Sequence, residues 1–293
     1  MSDRMSDRRK AGVQRKAIEE ADLESVVALL RRGFPSRPRS YWVEGFRRQA
    51  QRPSVPGAPR FGYMLRNGAV PVGTILMSTS VVPERDTLIR RCNLSSWYVE
   101  PQFRNFGSLL VTTVLKRSDT TYTNATAAPH TWSTVEAQGF TPYCFGEMAT
   151  VPLLSAKHRS ATVTPFDGTN LESGAIDAQL LADHARFISC VSLVVECDGE
   201  RYPFVFQKQR YMKHLIPSFR LLYCRDVADY VRFAGNLGRY LARHGRFIVV
   251  IDADEPVPGL IGNHTNNRGR KFYRGPHKPR HGDLAYTEWC FFG

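Results

Sequence analysis

Fourteen residues at positions 98–111, YVEPQFRNFGSLLV, contain the end of a strand, a turn and the start of a helix. Alternating residues run up to Pro101, which has no backbone N–H and therefore predicts the end of a strand. The apolar run that starts at Leu109 predicts a helix. A chain that passes this quickly from a strand into a helix predicts a layered α/β fold, with helices packed on a sheet.

The turn itself has the composition of an anion site. An anion bound at a helix N-terminus needs free backbone N–H groups, a small residue at the point of approach and a favourable dipole. Gly107 and Ser108 keep that approach open, and Arg104 adds a cation. On spacing alone, a phosphate-binding turn and an ordinary strand-to-helix connection both remain open.

The predicted elements around this turn follow an α/β order twice. Two helices, a hairpin around Asn67-Gly68 and a third strand precede the turn, and a helix, a strand, a helix and a strand follow it. After a polar stretch, a helix, a hairpin around Asp198-Gly199, a strand, a helix and a strand repeat part of the pattern. We therefore divide the chain into a disordered basic leader at 1–17, a first unit at 18–154, a linker at 155–175 and a second α/β unit at 176–293.

Composition limits the class of protein. Hydrophobic residues make up 42% and charged residues 23% of the chain, as in soluble globular proteins, and there is no apolar run of about 18 residues. The N-terminus is polar, without the apolar core of a secretory signal, and the six cysteines form no CxxC pair. We expect a cytoplasmic protein with reduced cysteines, no membrane span and no metal site.

The turn and a second motif together resemble the GNAT superfamily, the acyl-CoA-dependent N-acyltransferases. Val99-Glu100-Pro101 is similar to the end of the family's central strand, and Arg104-Asn105-Phe106-Gly107-Ser108-Leu109 is similar to its phosphate turn. Downstream, Glu136, Gly139 and Phe140 match the frequent Glu-x-x-Gly-Phe. The resemblance covers about residues 17–154, and it departs at Leu109, where the family prefers Gly or Ala.

The resemblance implies a fold and a co-substrate. The fold is a mixed, mostly antiparallel central sheet flanked by helices, and the partial repeat suggests two such units in tandem. Acetyl-CoA or another acyl-CoA would bind with its pyrophosphate at the turn and its pantetheine arm along the preceding strand, without a metal. The residues implied in that binding are Trp97, Tyr98, Val99, Arg104, Asn105, Phe106, Gly107, Ser108, Leu109 and Asn124.

Two residues are implied in the chemistry. Acyl transfer to an amine through a tetrahedral intermediate needs a base for the amine and an acid for the departing thiolate. Tyr143 follows the Gly-Phe step, as the family's acid often does, and Glu100 could act as a base through a water molecule. Core packing for Tyr143 and a solvated strand end for Glu100 are the alternatives. Cys144 is not expected to be a nucleophile, because no basic partner lies beside it in sequence.

The C-terminal region offers two further clues. HGDLAYTEW contains Asp283, Tyr286 and Glu288, which fit either an acceptor site or, as we favour, an alternating edge strand. Residues 268–280 mix cations with aromatic rings, as in proteins that bind single-stranded nucleic acid, yet the chain has no recognisable nucleic-acid motif.

Three functions remain open on the sequence. The first is an acyltransferase that uses acyl-CoA and a small-molecule or peptide amine acceptor. The second is a non-catalytic protein of the same fold that binds an anionic partner such as nucleic acid. The third is an acyltransferase whose donor is an acidic carrier protein, for which the net charge of +13 is suited.

Overall fold

A computed structural model of the chain describes residues 12–84, 87–171, 176–212 and 215–292. The strands are β1 (Gln14–Ala17), β2 (Gly62–Asn67), β3 (Val70–Glu84), β4 (Thr87–Val99), β5 (Thr120–Asn124), β6 (Thr141–Thr150), β7 (Thr162–Pro165), β8 (Cys190–Cys197), β9 (Glu200–Tyr211), β10 (Ile216–Cys224), β11 (Ile248–Asp252) and β12 (Gly262–Arg274). The helices are α1 (Leu23–Gly33), α2 (Arg39–Ala50), α3 (Gly107–Val114), α4 (Trp132–Ala137), α5 (Ile176–Ala185), α6 (Val227–Ala242) and α7 (Glu288–Phe292).

The twelve strands of the described residues belong to one sheet, in the order β1-β2-β3-β4-β5-β12-β6-β11-β10-β9-β8-β7. Among the described strands, β4–β5 and β10–β11 are the parallel pairs, and the remaining neighbours are antiparallel. The predicted mixed, mostly antiparallel sheet flanked by helices is therefore confirmed.

The strand order is the same when it is followed from either edge. One half is β1 to β5 followed by β12, and the other is β7 to β11 followed by β6. Each half thus contains a parallel pair joined through a helix, and each is completed by a strand from the other part of the chain. β12 pairs with β5 at Phe272 and Asn124, and β6 pairs with β11 at Met148 and Ile251. This duplication supports the prediction of two units in tandem.

Helices cover both faces of the sheet. Met64 of β2 packs in an apolar cluster with α1 and α2, whereas its neighbour Leu65 packs in a cluster with α3. Because successive strand residues point to opposite faces, these helices lie on opposite sides. The first cluster also contains Leu181 of α5 and Phe292 of α7, so it joins both halves of the chain in one core.

Two predicted boundaries differ from the structure. Residues 1–11 of the predicted leader lie outside the described part of the chain, but Gln14–Ala17 are not disordered: they form β1, paired with β2. The predicted linker at 155–175 contains β7, which pairs with β8. Polar composition concealed both edge strands, because their pairing uses backbone groups that every residue carries. The division at 154 and 176 stays a prediction.

Within the described residues, no helix combines the length and the hydrophobicity needed to cross a bilayer. The predicted edge strand around Asp283 is also different in the structure. Asp283 makes a single antiparallel bridge with Tyr223, and the chain then forms the helix α7.

Candidate active site

The parallel strands β4 and β5 separate part-way along their length. They are paired from 90–93 to 120–123, and the described structure shows no β5 partner for residues 94–99 of β4. On its other side β4 stays paired with β3 as far as Val99. A register shift in this pairing coincides with Ser96, whose φ of 49° is unusual for a residue other than glycine. The result is an opening between β4 and β5, where the half-buried edge of β4 presents backbone donors and acceptors that are not paired with β5.

The chain turns at the end of this open edge. Pro101–Phe106 form a 3₁₀ helix that leads directly into α3. The N–H of Gly107 donates to the carbonyl of Arg104, so this member of the predicted phosphate turn already has a partner. The side chains of Arg104, Asn105 and Ser108 are exposed and free to meet an anion. Phe106 is 41% exposed beside them.

Trp97, on the unpaired part of β4, packs against the apolar cluster under α3. Its indole Nε1 is buried and has no hydrogen-bond partner among the described residues. A Cβ added to Gly107 would lie 3.5 Å from Trp97 Cζ2, so the ring stands beside the start of α3. An unpaired buried donor costs about 1–3 kcal/mol, and a ligand acceptor at this point would remove that cost.

The remaining predicted binding residues have structural contacts. Val99 and Leu109 pack against the apolar cluster under α3 and α4, so the Leu109 side chain, the departure from the family pattern, is turned toward the core. Tyr98 packs on Phe34, with ring centroids 6.3 Å apart. Asn124 is the half-buried last residue of β5 and lies opposite Phe272.

The two predicted catalytic residues lie on separate strands. Tyr143 is buried on β6, its ring 6.1 Å from that of Tyr273, and burial together with the nearby Asp252 charge raises its hydroxyl pKa well above the ordinary value. Glu100 follows β4 and forms an ion pair with Arg32, the Arg32 Nη2 to Glu100 Oε1 distance being 2.7 Å. β5 and β12 stand between β4 and β6, so the structure does not bring the two together as neighbours in the sheet.

A different group of polar side chains meets where β4 and β5 diverge. Asn93 and Thr123 are the last paired residues, and Thr123 Oγ1 donates to Asn93 Oδ1 over 3.2 Å. Asn93 Nδ2 and Thr126 Oγ1 each donate to the carboxylate of Glu288. Asn93, Thr123 and Glu288 are buried, whereas Thr126 reaches the surface.

Burial raises the pKa of the Glu288 carboxyl, and the hydrogen bonds from Thr126 and Asn93 oppose part of that rise. The sequence had singled out Glu288 only as one of three polar residues near the C-terminus. Its approach to β4 is a contact over 195 positions, which no local pattern could predict.

The C-terminal segment 282–292 is what carries Glu288 to this point. The N–H of Cys224 donates to the Gly282 carbonyl over 2.9 Å, and the N–H of Leu284 donates to the Leu222 carbonyl over 2.7 Å. Asp283 then accepts two hydrogen bonds of 2.8 Å from the buried Arg91 of β4. The segment is thus hydrogen-bonded to β10 of one half and to β4 of the other.

The same segment closes the equivalent opening in the second half. β10 and β11 are paired at 218–220 and 248–250, and beyond that point Gly282 and Leu284 occupy the edge of β10. Buried ion pairs link the strands of this region: Arg220 of β10 with Glu147 of β6 at 2.7 Å, and Lys271 of β12 with Asp252 of β11 at 2.8 Å. The open strand edge therefore belongs to β4.

Some cysteine, histidine and aspartate side chains come together that are scattered in sequence. Cys144, Asp254 and His281 place donor atoms within 4.8 Å of one another, as do His158, Cys197 and Asp198. Burial raises the pKa of the Cys144 thiol to about 12, which disfavours the thiolate that a metal or a nucleophilic mechanism requires. The expected absence of a metal stays a prediction.

Known structures share this architecture across most of the chain. A GCN5-related N-acetyltransferase from Anabaena variabilis aligns with 90% of the chain and 72% of its own, at 9% identity and a TM-score of 0.54. A putative acetyltransferase from Pyrococcus horikoshii aligns with 94% and 93%, at 12% identity and a TM-score of 0.57. A probable N-acyltransferase from Enterococcus faecalis aligns with 94% and 74%, at 10% identity and a TM-score of 0.55.

The fold is that of the GCN5-related N-acetyltransferases. The predicted resemblance to this superfamily is therefore confirmed at the level of the fold, and it extends beyond residues 17–154 to about nine-tenths of the chain. No protein-family model matches the sequence, and no curated protein matches it.

Proposed function

We propose that this protein is an acyltransferase that moves an acetyl or other acyl group from acyl-CoA to an amine of a small molecule or peptide. The observation that supports this most directly is the unpaired edge of β4 at 94–99, which leads into the exposed cation of Arg104. An extended chain with amide groups, such as a pantetheine arm, can bond to a free strand edge as an added strand does.

The proposed donor site follows the chain. Arg104, Asn105 and Ser108 would bind the phosphates, and the edge at Trp97, Tyr98 and Val99 would bind the arm, with Trp97 Nε1 as an additional donor. Asn124 would contact the arm from β5. The internal bond of the Gly107 N–H means that side chains contribute more to phosphate binding, and backbone groups less, than the family turn implies.

Within this proposal Tyr143 supplies the proton for the departing thiolate, and Glu100 is the predicted base. Burial keeps the Tyr143 hydroxyl protonated, as a proton donor must be. Glu100 is held by Arg32 at the phosphate end of β4, which favours a role in positioning the turn over proton transfer.

A thermal-shift experiment tests donor binding. Acetyl-CoA and longer acyl-CoAs should raise the melting temperature of the wild type, whereas Arg104→Glu with Ser108→Glu should abolish the rise, because both side chains are exposed and the change repels phosphate. Arg186→Glu, at an exposed position after α5, is the matched control and should keep the rise. Absence of a shift with every acyl-CoA in the wild type would overturn the proposal.

A non-catalytic role is the second candidate, favoured by the Gly107 N–H that is already bonded. The non-catalytic role is supported if the wild type does not bind acyl-CoA but binds an oligonucleotide with an affinity that falls steeply as the salt concentration rises. A carrier-protein donor, suited to the net charge of +13, is supported if an acyl carrier protein thioester is used and acyl-CoA is not.

A further inference from the structure

The carboxylate of Glu288 lies where the donor site ends. β4 and β5 diverge at Asn93 and Thr123, and the open edge that would hold the donor starts at the next residue of β4. Asn93 bonds to Glu288 directly, and Thr126, the other donor to this carboxylate, is exposed. A donor arm that follows the β4 edge away from the turn at Arg104 therefore brings its acyl end toward Glu288.

The bonding of Glu288 is unlike that of a structural carboxylate. Asp283, five positions earlier, is buried against the guanidinium of Arg91, with two hydrogen bonds of 2.8 Å and a lowered pKa. Among the described residues Glu288 has no cation within ion-pair distance, and its side-chain hydrogen-bond donors are neutral groups. The charge of Lys271, which is paired with Asp252, lowers the Glu288 pKa only through space. A buried carboxylate without a cation is costly, and such groups occur at sites of proton transfer more often than elsewhere.

We propose that Glu288, delivered by the C-terminal segment 282–292, is the general base of the acyl transfer. This inference rests on the proposed function. The carboxylate is oriented by Asn93 and Thr126, which donate to different oxygens, and it also accepts a hydrogen bond from the backbone N–H of Glu288. A carboxylate has about four acceptor sites, so these three bonds leave one lone pair to take a proton.

The proton and electron balance of the step is complete. The amine lone pair forms the new N–C bond, the C–S bond breaks with its electron pair remaining on sulfur, and Glu288 takes one proton from the amine nitrogen. The sulfur takes up one proton, from Tyr143 or from water, to give the free thiol. Glu288 then returns its proton to solvent through the exposed side of Thr126, or to Tyr143 if that residue was the donor. A raised carboxyl pKa makes Glu288 a stronger base than a surface glutamate.

The test separates this role from donor binding. Free thiol release from acetyl-CoA is measured with a pool of primary amines comprising ethanolamine, glucosamine, spermidine and lysine methyl ester. Glu288→Gln keeps the size of the side chain and should lower kcat/KM by about 10²–10⁴-fold. It should leave the acetyl-CoA melting shift intact. Glu44→Gln, on the exposed face of α2, is the matched control and should retain full activity.

The pH profile provides a second readout that a structural role would not move. Thr126→Val removes a hydrogen bond that stabilises the ionised carboxylate, so the acidic limb of the kcat/KM profile should move to higher pH. In Glu288→Gln that limb should disappear.

The outcomes distinguish the two proposals. If the wild type shows neither a melting shift nor transfer, the proposed function fails and this inference fails with it. If it shows the melting shift but transfers to none of the amines, the inference is overturned and only donor binding stands. If the wild type transfers and Glu288→Gln remains within threefold of it with an unchanged acidic limb, the inference is overturned and the proposed function stands. If Glu288→Gln does not fold, an unmoved limb in Thr126→Val overturns the inference.

Discussion

Trp97 is the predicted binding residue whose role can be tested apart from stability. Within the described part of the chain its buried indole N–H has no hydrogen-bond partner, and neither has that of Trp42, which packs against Phe292 in the core shared by both halves. The two tryptophans carry the same unpaired donor, but only Trp97 lies beside the start of α3. They form a natural pair of test and control positions.

We expect Trp97→Phe to change the free energy of unfolding by no more than about 1 kcal/mol, because the lost packing is offset by removal of an unpaired donor. The melting shift produced by acetyl-CoA should fall in the same variant. Trp42→Phe should leave that shift unchanged. Urea unfolding and thermal shift measure the two effects, and equal acetyl-CoA shifts in wild type and Trp97→Phe would contradict the expectation.

Individual residues also differ in how well the sequence predicts their part in the candidate site. Arg104, Gly107 and Ser108 were predicted together because they are adjacent in the chain and their spacing follows from one turn. Glu288 was not, because its partner Asn93 is 195 positions away. A carboxylate before an aromatic run has no local feature that distinguishes a base from an edge residue.

At the scale of elements, the C-terminal segment is fixed to both halves by buried groups. Asp283→Asn should destabilise the protein by about 3–5 kcal/mol, because it leaves the buried Arg91 guanidinium without its anion. The exposed pair of Arg117 and Asp119 is the control, and Asp119→Asn should have a much smaller effect. Urea unfolding at pH 7 gives both values, and equal effects would show that the buried pair is dispensable.

His184 of α5 makes the same docking sensitive to pH. Its Nδ1–H donates to the Leu180 carbonyl over 2.7 Å, and its Nε2 accepts from the N–H of Tyr286 over 3.3 Å and from the thiol of Cys290 over 3.2 Å. This arrangement requires the neutral ring. The His184 pKa is lowered from 6.5 to about 4, mainly by burial and also by the charge of Arg52, while the hydrogen bond to Leu180 and the charges of Asp183 and Asp283 oppose the shift.

Because the folded-state pKa is below the unfolded one, the stability contributed by neutral His184 is complete above pH 6.5 and is lost as pH falls toward 4. We expect a loss of about 3 kcal/mol across that interval. His184→Asn should be less stable at pH 7 but should lose less between pH 6.5 and pH 5. Urea unfolding at several pH values measures this, and parallel curves for the two proteins would contradict it.

Element order was well predicted from the sequence, since hairpin signals at Asn67-Gly68 and Asp198-Gly199 and helical spacing at Leu23 are local. β1 and β7 were missed because polar residues in edge strands have no apolar face to reveal them. The exchange of β6 and β12 between the two halves could not be predicted from the sequence for another reason. Which strand completes a sheet depends on pairing between distant segments, and any strand of suitable length could fill the place.

At the scale of the molecule, that exchange joins the halves into one unit. β12 separates β5 from β6, so a fragment ending at residue 154 would lack the strand between them. We expect the full chain to unfold in a single calorimetric transition and the fragment 12–154 to remain unfolded. Two resolved transitions, or a fragment with a cooperative melt, would support two independent domains instead.

The exchange of β6 and β12 also determines when the first half of the chain can finish folding during its synthesis. The first half cannot complete its sheet when residue 154 leaves the ribosome, because β12 ends at Arg274. At a translation rate of 5–20 residues per second, synthesis of residues 155–274 takes about 6–24 s. During that time the edges of β5 and β6 that will pair with β12 have no partner strand. The nascent chain should therefore depend on chaperones for longer than one whose halves close in turn, and slow translation should lower its yield of native protein.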